Sequence, residues 1–130
     1  MIISEISIKN FKSYGNNVQI LKLNEKKGEL ILLVGDNGAG KSTFLNSFDF
    51  SLYGKCRGSH KKWSTLSTLT NRINGSNMEV GIKFISNNTD VEIRRGVSPS
   101  LLELIENGII NERAGKANID DKIEKYVGLD

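Results

Sequence analysis

Eight consecutive residues, Gly35, Asp36, Asn37, Gly38, Ala39, Gly40, Lys41 and Ser42, fit the pattern G-x-x-x-x-G-K-[ST]. That spacing suits a loop that grips the phosphates of a nucleotide. The glycines let the backbone wrap tightly, so that successive N–H groups point at one anion. Lys41 adds a full charge against the β- and γ-phosphates and is the catalytic candidate. The Ser42 hydroxyl is the candidate Mg²⁺ ligand, and Thr43 can donate to a further phosphate oxygen. ATP and Mg²⁺ are the expected ligands.

Such a loop works only between a buried strand and a helix. Residues 30–34 form an apolar run without alternation, as expected for a strand covered on both faces. Residues 42–53 then place Phe44, Leu45, Phe48 and Leu52 at helical spacing, with Gly54 as the stop. The helix would aim its unsatisfied N–H groups and positive dipole end at the same phosphates. A Gly-rich turn can match the pattern by chance. Here strand and helix flank it in the required order, which favours nucleotide binding.

The remaining elements read as one α/β domain. Residues 2–8 and 18–23 are expected strands joined by a polar bend at 10–17, and 24–28 is an expected turn. Residues 55–77 are basic and Ser/Thr-rich, with one short helix expected near 64–72. Met78, Val80, Ile82 and Phe84 alternate as in a half-buried strand. Val91 and Ile93 continue the pattern after a turn at 86–89. Pro99 interrupts, residues 101–105 resume, and Asn107-Gly108 signals a type I′ hairpin into Ile109-Ile110. A last helix is expected to start at Asn118, with Asp120 and Asp121 in its first turn, where the dipole favours anions.

Composition narrows the class. The chain has 130 residues, 38% hydrophobic and 25% charged, which reads as soluble and globular. No apolar run approaches the ~20 residues that cross a bilayer, and no signal peptide is legible, so no membrane partner is expected. The single cysteine, Cys56, cannot form an internal disulfide and has no companion at zinc-ligand spacing. The net charge of +3 is uneven: Lys41, Lys55, Arg57, Lys61, Lys62 and Arg72 face only Asp49 between residues 41 and 72. Such clustering suits phosphates or nucleic acid, and equally a solvated loop.

A self-sufficient hydrolase would need more. No apolar run ends in Asp or Asp-Glu to supply a second Mg²⁺ contact and orient a water. Asp120-Asp121 is explained by the helix start.

Ile6-Ser7-Ile8-Lys9-Asn10-Phe11-Lys12-Ser13, followed by the phosphate loop through Thr43, resembles the amino-terminal lobe of SMC/SbcC-type ABC ATPases. These are ATPase subunits of the double-strand-break repair nuclease complex. Residues 51–55, Arg94-Arg95, the Asn107-Gly108 hairpin and the terminal KIEKYVGLD are similar to phage recombination endonuclease subunits and bacterial SbcC. The resemblance implies a P-loop NTPase of ABC type, with residues 1–130 as the amino-terminal half of its head: a mixed β-sheet with antiparallel strands plus the phosphate-loop helix. In that family a coiled coil separates this lobe from a carboxyl lobe carrying the signature motif, the acidic motif and the switch histidine. The chain stops about where a glutamine loop would follow, so it is expected to be a fragment or truncated product that binds ATP without efficient turnover.

The resemblance also implies that Lys12 and Ser13 sit beside the phosphates; many relatives have arginine where this chain has Lys12. It implies a second ATPase head as homodimer partner, a metallophosphoesterase nuclease and double-stranded DNA, in the cytoplasm of a bacterium or phage-infected cell. DNA contact by Lys55, Arg57, Lys61 or Lys62 competes with a place near adenine or in solvent. Trp63 reads as a partly buried anchor rather than a base-stacking residue, and neither His60 nor Cys56 as catalytic. The alternatives are a non-nuclease SMC-type chromosome organiser, a RecF-like mediator and, in another class, a small P-loop kinase.

Overall fold

The computed structural model describes residues 2–23, 41–55, 69–110 and 116–127. The expected turn at 24–28, strand at 30–34, loop Gly35 to Gly40 and basic residues 56–63 lie outside them, as does most of the helix expected near 64–72.

The described residues form one six-stranded sheet with two helices on one face. The strands are β1 (Ile2–Lys9), β2 (Gln19–Lys22), β3 (Met78–Ser86), β4 (Thr89–Val97), β5 (Leu101–Glu106) and β6 (Ile109–Ile110). Their order is β2-β1-β3-β4-β5-β6, and every described pairing is antiparallel. The helices are α1 (Lys41–Tyr53) and α2 (Lys116–Val127).

The alternation read in β3 decides which face is covered. Met78, Val80, Ile82 and Phe84 are all buried, and Ile6, Ile8, Val91 and Ile93 of the neighbouring strands join them. α1 brings Phe50 and Leu52 to this face, and α2 brings Ile119 and Ile123. Phe48 packs against both parts of the core. The opposite face carries charges: Lys22, Glu5, Lys83 and Glu92 lie across neighbouring strands, with Lys83 Nζ 3.1 Å from Glu5 Oε2. Exposed pairs of this kind contribute about 0–1 kcal/mol each.

Both expected hairpins form. Asn87 and Asn88 have φ of 51° and 61°, and Asn107 and Gly108 have 49° and 81°. Positive φ at both central residues defines the type I′ turn, which matches the twist of antiparallel strands. Asn107 also ties the two hairpins together, since its Oδ1 accepts from the Asp90 N–H at 3.0 Å.

Two expectations need correction. β2 is shorter than residues 18–23, and all its residues are exposed at the sheet edge, so few neighbours hold its ends. α2 starts at Lys116, two residues before Asn118, and its first turn holds no acid. Lys and Ala are good helix formers that let the helix extend past an internal Asn. Asp120 therefore lies beyond the first turn, and its carboxylate is bound to the buried Arg95. Among the described residues no helix is long and apolar enough to cross a membrane.

Candidate nucleotide site

Helix α1 begins at Lys41, directly after the glycine-rich loop. Ser42 is exposed and Thr43 half-buried in its first turn, which contains no acidic residue. The free N–H groups and positive dipole end of the helix are thus uncancelled by any carboxylate of its own first turn. The far end is closed twice. Gly54, at φ +74°, donates its N–H to the Phe50 carbonyl at 2.8 Å. Arg95 donates to the Ser51 and Leu52 carbonyls at 2.8 and 3.1 Å.

The loop after β1 carries Lys12 and Ser13, and a second loop holds it in place. The Lys12 N–H donates to the Leu69 carbonyl at 2.6 Å, and Phe11 bridges to Thr70. The Asn71 side-chain amide donates to the Lys12 and Tyr14 carbonyls at 2.9 and 3.1 Å. Asn71 Oδ1 accepts from the backbone N–H groups of Ile73 and Asn74, each at 3.0 Å. The fully buried Asn10 completes the clamp: it accepts from the Asn74 side chain at 2.7 Å and donates to Asn16 at 3.0 Å. Lys12 itself holds φ +50°, a left-handed conformation that a lysine adopts only when its surroundings impose it.

The clamp creates an open depression of about 730 Å³ lined by Lys12, Ser13, Thr70, Asn71, Arg72 and Ile73. Among the described residues the lining carries two cations, Lys12 and Arg72, and the Ser13 hydroxyl, with no carboxylate, which is chemistry suited to an anion. Phe11 connects this wall to the phosphate-loop helix: its ring centroid is 5.7 Å from that of Phe50. Phe44, in the first turn of α1, and Tyr14 pack on the same cluster.

The structure thus brings Lys12 and Ser13 together with Thr70, Asn71 and Arg72, and supports that loop and α1 on one apolar cluster. Gly35, Asp36, Asn37, Gly38, Ala39 and Gly40 lie outside the described residues, so their contacts are not part of this geometry. Sequence reasoning missed Thr70 and Asn71, whose partners are remote in the chain. Arg72 was visible only as one member of the basic stretch. Among the described residues no three His, Cys, Asp or Glu side chains gather as a metal site. The donors present fit a Mg²⁺ ion held largely by phosphate oxygens, to which Ser42 would add one hydroxyl.

Comparison with known proteins adds the lineage. A family model described as an AAA domain matches residues 5–128. Exonuclease subunit 2 of Enterobacteria phage T4 is 30% identical over 128 residues, which are 98% of this chain and 22% of that protein. The DNA double-strand break repair Rad50 ATPase of Methanocaldococcus jannaschii is 32% identical over 89 residues, 62% of this chain and 8% of that protein. The chain thus spans about a fifth of the length of the phage relative and less of the archaeal one. Among solved structures, an SMC head bound to the C-winged helix domain of ScpA matches the whole chain at a TM-score of 0.68, with 23% identity and 42% of that structure covered. A structure from work on ATP-driven dimerization and DNA-stimulated activation of SMC ATPases matches at the same TM-score, with 22% identity and 81% of it covered. These two likenesses establish the fold as that of an SMC ATPase head. With the family match across residues 5–128, the chain belongs to the AAA domain family, in its SMC/SbcC-type ABC ATPase branch.

Proposed function

We propose that this chain is the ATP-binding amino-terminal lobe of a DNA double-strand-break repair or recombination ATPase, which regulates a partner nuclease through ATP-driven engagement of two heads. The observation that carries the reading is the pairing of an acid-free start of α1 at Lys41-Ser42 with the acid-free, cationic wall at Lys12 and Arg72. Both belong to elements that pack on the cluster around Phe11.

In this reading the amides from Gly35 through Thr43 receive the phosphates, and Lys41 neutralises the β- and γ-phosphates. Lys12 and Ser13 approach them from the other loop. Mg²⁺, when bound at Ser42, supplies charge neutralisation across the β- and γ-oxygens. Turnover belongs to the complete head dimer, in which the signature motif of a second head closes over the γ-phosphate. Engagement can shift the nuclease only by as much as triphosphate stabilises the engaged state over the open one.

The likeness to SMC heads supports a second reading, a non-nuclease chromosome organiser of the same fold. Co-purification with a metallophosphoesterase nuclease separates the two. A small kinase is disfavoured, because among the described residues after α1 the antiparallel strands β3–β6 stand where lid helices would be needed.

The test is nucleotide binding by the chain and by Lys41→Ala, read by titration calorimetry with Mg²⁺ and a non-hydrolysable ATP analogue. Binding is expected in the parent and lost in the variant. Equal affinity in both would overturn the assignment.

A further inference from the structure

Arg95 is 4% exposed, which is unusual for an arginine, and its three described bonds lead to two different helices. Nε donates to the Ser51 carbonyl at 2.8 Å, and Nη2 to the Leu52 carbonyl at 3.1 Å. The same Nη2 donates to Asp120 Oδ1 of α2 at 2.6 Å. Removing a buried guanidinium from water is costly unless its bonds are well made, so the fork holds its partners in fixed positions. The chain makes room for it at Gly54, where a Cβ would lie 2.9 Å from Nη1.

The rest of α1 is held by apolar packing through Phe44, Phe48, Phe50 and Leu52, which is not directional along the helix axis. Its buried face includes Ser47 and Ser51, whose hydroxyls bond back to the Phe44 and Phe48 carbonyls of the same helix. Such small, self-satisfied side chains offer little to oppose sliding along the axis. The Arg95 fork is therefore a directional polar contact that fixes the axial position of α1 against the sheet. Because Nη2 is shared, a shift of α1 must either break a bond at Leu52 or Asp120, or carry α2 with it.

We propose that Arg95 is a positioning residue that joins α1 to α2, so that nucleotide held at the start of α1 is registered at α2 through Asp120. This rests on the nucleotide reading above and assigns that site an internal receiver. The physical content is a coupling between two places, and it is reciprocal: whatever loosens α2 from Arg95 also weakens nucleotide binding.

Hydrogen exchange on the whole chain tests it, with and without Mg²⁺ and the ATP analogue, for the parent, Asp120→Ala and the milder Asp120→Asn. In the parent, nucleotide is expected to slow exchange both in residues 41–53 and in α2, the latter by roughly fivefold or more, the low end of ordinary coupling between sites. In Asp120→Ala the response at 41–53 should persist while that of α2 is lost, whereas Asp120→Asn and Arg95→Lys should each retain part of it. An α2 response that is unchanged in both Asp120 variants, or missing from the parent while 41–53 responds, overturns the joint but leaves nucleotide binding intact. No response at 41–53 in the parent overturns both. Should Asp120→Ala fail to fold, Asp120→Leu, which keeps similar volume and removes every acceptor for Arg95, carries the decision in its place.

Discussion

Asn71 holds the backbone of Lys12 from across the chain: its amide donates to the Lys12 carbonyl at 2.9 Å while its oxygen caps the turn at Ile73 and Asn74. One side chain thus determines the shape of both loops that line the candidate site. Replacing it with alanine removes four described hydrogen bonds. Asn71→Ala should lower stability by about 2–4 kcal/mol, at about 1 kcal/mol net per bond. Urea unfolding should show a lower midpoint with an unchanged slope.

Lys12 separates charge from conformation. At φ +50° a glycine relieves left-handed strain but removes the cation. Lys12→Gly should therefore leave stability within about 1 kcal/mol of the parent. It should weaken ATP binding about tenfold, a loss of ~1.4 kcal/mol of phosphate contact. Calorimetric affinity together with thermal unfolding checks both halves.

Gly54 is constrained in two ways, by its φ of +74° and by Arg95 Nη1 at 2.9 Å from its missing Cβ. Gly54→Ala should cost about 1–2 kcal/mol for the left-handed backbone alone. Displacing the guanidinium adds to that, so the total loss in denaturant unfolding should exceed that of an alanine placed at the exposed Gly75, also at positive φ.

Tyr126 donates its hydroxyl to Glu106, and that bond, with burial and the Glu106 charge, pushes the phenol from 10.0 up to about 12. The fold thus favours the neutral phenol. Its stabilisation is complete below pH 10 and is lost as pH rises from 10 towards about 12. Tyr126→Phe should unfold about 1 kcal/mol more easily at pH 8. The gap between the two proteins should narrow through that alkaline window, as followed by the midpoint of chemical unfolding.

Local signals made much of this molecule legible. Asn107-Gly108 between alternating strands, and the spacing of Phe44, Leu45, Phe48 and Leu52, rest on short-range chemistry, and both elements form where expected, although Leu45 turns out exposed. Asn71 escaped notice because it looks like an ordinary loop residue until the fold brings its partners together, and Asn10, legible only as part of the Ile6–Ser13 segment, gave no sign of its clamp. Arg95 was closer to view. It shares the parity of Val91 and Ile93 in β4 and so had to point inward, yet a charge at an inward position reads as surface until its acceptors are known. The start of α2 was misplaced because capping preference at Asn118 was weighed without the helix-forming Lys116-Ala117 before it.

The order of the strands also carries a kinetic consequence. β3, β4 and β5 each pair with the strand that follows, joined by short turns, whereas β1, once paired with β2, must wait for β3 to return from far along the polypeptide. Closing short loops costs less entropy than closing long ones, so the meander can assemble first and present β3 as a template. Mutations along β4 should then slow refolding, whereas those in β1 should act chiefly by hastening unfolding. The segment leading into Lys12 is synthesised first yet docks last, so Ile6 and Ile8 stay uncovered beside the ribosome until β3 has emerged.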